Sequence, residues 1–168
     1  MNDFVPAATP DEEINLLAST DLRTTAVIGE DFAWARSSFA EAEDSSNSIA
    51  LTHYAPNELR YDFSTDSERA AIFSEIYYPE GWKAWIEPAG AYGEVRNGHY
   101  TPTENAKQID LFRADWMLRG AIIPQGEGTL IMRFEPESYQ IGENISRTCS
   151  VILILLLLAS AAGVIVRK

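Results

Sequence analysis

Glu58-Leu59-Arg60-Tyr61-Asp62-Phe63 is the stretch on which the fold turns. Polar and apolar residues alternate through it with a period of two, as in a strand with one wet face and one dry face. Leu59, Tyr61 and Phe63 form the inward set. Just upstream, Ile49-Ala50-Leu51-Thr52-His53-Tyr54 reads as a strand and Pro56-Asn57 as a turn, so the two strands make an antiparallel hairpin. Downstream, Asp66-Ser67-Glu68 turns the chain again. Residues 70–78 read as the longest strand and as central in its sheet. After Pro79-Glu80-Gly81, residues 82–86 are expected to return antiparallel beside it. Residues 87–108 carry Pro88, Gly90, Gly93, Gly98 and Pro102 and read as a long loop that projects from the sheet or carries function. Strands resume at 109–112, 116–123 and 129–134, the last two separated by Pro124-Gln125-Gly126. Short strands with closely spaced turn signals define a mainly β fold, an antiparallel β-sandwich.

The flanks differ from this core. Residues 1–8 read as a frayed end. Thr9-Pro10-Asp11-Glu12 then starts a short helix: Thr9 caps it, Pro10 takes the first helical position, and Glu12 lies three residues after the cap. Ile14, Leu16 and Leu17 give this helix one apolar face, with residues 24–28 as the strand that partners it. Residues 37–48, rich in Ser and acids, read as a surface loop. At the other end, 148–166 contain no charge, and Arg167-Lys168 follow. At 1.5 Å per residue that helix spans roughly 28 Å, close to the hydrocarbon thickness of a bilayer. The expected organisation is therefore a β-sandwich over residues 1–147, a transmembrane helix over 148–166 and a short tail at 167–168.

Charge excludes several functions. The chain carries 13 Lys and Arg against 25 Asp and Glu, and two of the basic residues close the tail, so about −14 sits on the globular part. Such a domain repels a phosphate backbone, which excludes nucleic acid as a partner. It is also pushed away from anionic lipid head groups, so the bilayer is its anchor rather than its ligand. Cys149, the one cysteine, forbids an internal disulfide and a thiolate zinc site. The N-terminus lacks the basic start and apolar run of a signal peptide.

A resemblance enters with Phe73-Ser74-Glu75-Ile76-Tyr77-Tyr78-Pro79-Glu80-Gly81-Trp82-Lys83-Ala84-Trp85-Ile86. This strand-turn-strand resembles the signature of the YfhO family of bacterial membrane proteins. Trp116-Met117-Leu118-Arg119-Gly120, Pro124-Gln125-Gly126 and Phe134-Glu135-Pro136-Glu137-Ser138-Tyr139, with Gly142, Ile145 and Ser146, follow in that family's order. The Leu51–Asn57 segment is similar to what precedes the signature there. The family's Asp-Gly turn is replaced by Glu87-Pro88 and an insertion through Gln108. Full-length members are polytopic and resemble the GT-C glycosyltransferases, which use lipid-linked sugars. This chain matches their C-terminal end only, like a fragment or a truncated paralogue, so no transferase chemistry is carried to any residue here. The resemblance implies an accessory module at the bacterial cytoplasmic membrane, single-pass in this chain, with its globe extracytoplasmic. It would contact cell-envelope glycan or a polytopic membrane protein. The alternative is a structural domain that packs on such a partner and binds no ligand.

Tyr77, Tyr78, Trp82 and Trp85 cluster around one turn and form either a sugar-stacking platform or sandwich core. Alternation puts Trp82, Ala84 and Ile86 on one face and Lys83 with Trp85 on the other, so Trp85 is expected to be the exposed member. Arg113, Arg119 and Arg133 either hold a phosphate or a uronate bidentately or pair with acids such as Glu75, Asp110 and Asp115. His53 and His99 lack companions at metal-ligand spacing, and the acids Asp62, Asp66 and Glu68 do not have a calcium-loop spacing. Phosphate loops and nucleophile elbows are missing, so no catalytic residue, metal or cofactor is assigned. In the membrane helix, Ala159-x-x-x-Gly163 is a small-xxx-small pair suited to close helix packing.

Overall fold

Phe4 and Ala7 are buried, and they turn the expected frayed end into strand β1 (Asp3–Ala7). Helix α1 (Pro10–Leu17) follows, with its start built as the sequence requires. The Thr9 hydroxyl accepts the Glu12 N–H at 3.2 Å, and the Glu12 carboxylate takes the Ala8 N–H at 2.9 Å. Strand β2 (Thr25–Gly29) returns parallel to β1, and a kinked 3₁₀ segment (Glu30–Arg36) leads out of it. The structure, a computed structural model, describes residues 3–36 and 47–166, with the side chains of Gln140 and of 159–166 left aside. Most of the Ser-rich stretch read as a surface loop, residues 37–46, lies outside the described residues. The chain divides into two compact units, Met1–Glu135 and Pro136–Lys168.

The hairpin forms as its alternation demands. Strand β3 (Ser48–Ala55) pairs antiparallel with β4 (Glu58–Thr65), and Leu59, Tyr61 and Phe63 are buried. Nine further elements follow among the described residues. They are β5 (Arg69–Ile76), β6 (Trp82–Pro88), β7 (Glu94–Arg96), β8 (His99–Thr101), β9 (Lys107–Ile109), β10 (Leu111–Ala114), β11 (Leu118–Ile123), β12 (Gly126–Phe134) and α2 (Glu137–Val166). One sheet runs β3-β4-β12-β6-β9 and the other β10-β11-β5. Their inner faces share one core: Leu59, Tyr61, Phe63, Ala84, Leu130 and Met132 from the first meet Phe73, Ala121 and Ile123 from the second. This is an antiparallel β-sandwich.

Both outer faces are covered in part. Phe4, Ala26, Ile28 and Ala35 close over Phe112 and Ala114 on the three-stranded sheet, where Phe112 is wholly buried. A buried aromatic of this size contributes about 1.5–3 kcal/mol. Gly120 stands opposite Phe112 because a Cβ there would sit 2.3 Å from the ring. On the five-stranded sheet, Tyr100 and Tyr92 pack over Trp85 and Ile131.

Four expectations are corrected. Strand β5 is an edge strand, while the nine-residue β12 holds the centre of the larger sheet. Strand β6 pairs with β12 and β9 rather than with β5. Phe73 and Ala84 both point into the core, so their strands must face each other across it instead of lying side by side. The link between them crosses the sandwich at Gly81, whose φ of 97° favours glycine. Residues 87–108 are not a bare loop but hold the β7–β8 hairpin and β9. Trp85 is 6% exposed, because that hairpin covers the face expected to be wet.

The buried residue of α1 is Glu13, at 1% exposure, while Ile14 is 47% exposed. The cause lies a hundred residues away. The turn between β10 and β11 holds Asp115 and Trp116 at φ 48° and 72°, sparsely populated for such residues. Glu13 accepts the Trp116 N–H at 2.9 Å, and Arg113 donates to the Trp116 carbonyl at 2.6 Å. Arg113 also pairs with Glu13 at 3.0 Å. Helix α1 therefore turns its carboxylate, not its isoleucine, toward the sheet.

In the second unit, α2 begins at Glu137, upstream of the expected start at Thr148. Its segment Glu137–Leu158 is long and apolar enough to cross a membrane. Arg147 pairs with Glu143 one turn earlier at 2.7 Å. Ala159 and Gly163 lie on this helix, but their side chains are outside the described residues.

Candidate functional site

Two crossings of the chain between sheets fall close together. Residues 77–81 carry it from β5 to β6, and Asp110 carries it from β9 to β10. Beside these crossings lies a groove of about 350 Å³. Its walls include Phe32 and Trp34 from the 3₁₀ segment, Tyr77 and Tyr78 from the first crossing, and Trp82 from β6. Lys83, Gln108 and Asp110 add polar groups.

The aromatic walls are braced from behind. Phe32 meets Tyr77 edge-on with centroids 5.5 Å apart. Phe134 lies 5.5 Å from Trp82 and 6.3 Å from Tyr78. The guanidinium of Arg119 sits 3.9 Å from the Trp82 ring centroid, a cation–π contact that fixes the indole. The Tyr77 N–H donates to the Met117 carbonyl at 2.7 Å, tying the first crossing to the residue just before β11. Burial raises the Tyr77 phenol above its ordinary value, and the charge of Arg113 opposes the rise. Tyr78 stays 51% exposed at the rim.

Of the residues singled out from sequence, Tyr77, Tyr78 and Trp82 come together here and Trp85 does not. The arginines serve the fold. Arg113 is held by Glu13, and Arg119 is 2% exposed, donates to the Ile76 carbonyl at 3.0 Å and feels the charge of Glu75. Burial lowers the Arg119 guanidinium below its ordinary value, and Glu75 partly restores it. Arg133 pairs with Glu58 and, at 3.0 Å, with Glu135. Its partners are thus distant or downstream acids, not Asp110 or Asp115. Phe32, Trp34, Lys83, Gln108 and Asp110 were missed. The only sequence signal was the pair of aromatics in Phe32-Ala33-Trp34. Among the described residues, no three His, Cys, Asp or Glu side chains gather as a metal would require.

Fold and groove together define a small antiparallel β-sandwich with an aromatic groove, followed by a helix long and apolar enough to cross a membrane. Comparison with family models, with curated proteins and with solved structures finds no match for this chain.

Proposed function

We propose that the chain is a membrane-anchored module of the bacterial cell envelope that holds a glycan in the Tyr77–Tyr78–Trp82 groove. One observation carries this reading: aromatic rings from three separate elements line one cleft together with Lys83, Gln108 and Asp110. A pyranose presents flat C–H faces that pack on aromatic rings, and hydroxyls at its edge that bond to charged and amide side chains. Ligand sites commonly combine an apolar lining with a few placed polar groups. The YfhO-like order of motifs supports an extracytoplasmic globe beside a polytopic partner of glycosyltransferase type. The test is titration of the full chain in detergent with cell-envelope glycans, followed by Trp fluorescence. Binding should weaken roughly tenfold in Tyr78→Ala, the loss of one ring contact, with the circular dichroism spectrum unchanged. Absence of any response in the native chain would remove glycan binding.

A further inference from the structure

The groove does not end at Trp34. A second cavity of about 290 Å³ is lined by Trp34, Glu68, Ile86, Lys107, Asp110 and Pro124. It shares Trp34, Gln108, Ile109 and Asp110 with the first, so the two compartments adjoin. Each is at the lower bound of volumes typical for ligand sites, on the order of 300–1,000 Å³, and together they make a longer one. Both compartments repeat the same chemistry. Trp34 and Asp110 serve both, Lys83 stands in the first, and Lys107 with Glu68 stands in the second. Each therefore offers an apolar surface with one ammonium and at least one carboxylate.

We infer that this cleft binds an uncharged oligosaccharide across two subsites that meet at Trp34, and that a single sugar fills only one of them. The inference rests on the glycan reading above and deepens it. A ligand of one ring would leave one of the two compartments unused. A polyanionic chain would meet Asp110 and Glu68 directly, on a chain whose formal net charge is −12.

The experiment uses the full chain in detergent and four ladders of neutral sugars, from monomer to tetramer: β-1,4-glucose, N-acetylglucosamine, mannose and galactose. Oligogalacturonate serves as the charged control. In at least one ladder the tetramer should bind roughly tenfold tighter than the monomer, the gain expected from a second well-packed ring. The double variant Glu68→Gln, Lys107→Ala should remove that gain, so that its tetramer binds no tighter than its monomer. Equal affinity for monomer and tetramer overturns the two-subsite inference while leaving a one-ring glycan site intact. Oligogalacturonate binding tighter than every neutral tetramer overturns the uncharged class. Silence from all the ladders and from oligogalacturonate overturns the glycan reading itself, and the inference with it.

Discussion

Two buried carboxylates make opposite contributions to stability. Asp115 accepts the Val27 N–H at 2.8 Å and returns its own N–H to the Val27 carbonyl. Burial pushes its carboxyl above the ordinary value of 3.8; the Val27 bond opposes this and the Glu13 charge adds to it. A carboxyl raised in the folded state costs stability once ionised, so the penalty is absent in acid and complete above the raised value. Asp115→Asn keeps the acceptor and suits the left-handed backbone. Its thermal midpoint near neutral pH should match or exceed that of the native chain, and the gap should close in acid. A midpoint depressed equally at both would refute this account. Glu58 behaves in reverse. Burial pushes it up, but hydrogen bonds from Arg60 and Tyr92 and the charges of Arg60 and Arg133 outweigh that and hold it below 4.5. Its stabilisation is present above the ordinary value and is lost as pH falls through the lowered one. Glu58→Gln should cost about 1–3 kcal/mol near neutral pH in thermal unfolding, with the difference narrowing in acid.

The β7–β8 hairpin shows how a short element is held in place. Three residues in each strand cannot sustain a hairpin alone. Glu87, wholly buried in β6, accepts from the Tyr100 hydroxyl and from both the N–H and hydroxyl of Thr103. The Tyr100 oxygen in turn accepts the Gly93 N–H at 3.2 Å. Arg133 bonds the Gly98 carbonyl at 2.9 Å, and Arg60 stacks 3.6 Å from the Tyr92 centroid. These bonds clamp the hairpin over Trp85. Tyr100→Phe should therefore cost about 1–3 kcal/mol, measured by denaturant unfolding, with little change in Trp emission. Tyr100→Ala should uncover Trp85 and shift its emission to the red. Unshifted emission in that variant would show that the hairpin does not shield the indole.

For the molecule as a whole, the proposed function turns on the side of the membrane that the globe would face. The proposed extracytoplasmic globe predicts that Glu80→Cys, made with Cys149→Ser, reacts with an impermeant thiol reagent in intact cells. Reaction only after lysis would place the globe in the cytoplasm and end the cell-envelope reading.

Local pattern alone determined the β3–β4 hairpin, the Thr9 cap and the apolar course of α2, because each depends on periodicity or on groups a few residues apart. Three of the groove residues were legible for a similar reason: Tyr77, Tyr78 and Trp82 crowd a single turn. The rest needed the tertiary structure. Alternation correctly separated Trp85 from Trp82, yet both faces of β6 are dry, because a hairpin formed by later residues covers one of them. Strand β5 looked central from its apolar run, but pairing is settled by which strands meet across the core. The burial of Glu13 follows from a strained turn at Trp116, and the groove from Phe32 meeting Tyr77. Periodicity specifies which face of an element is apolar. What covers that face is decided by contacts between residues far apart in the chain, and these carry no local signature.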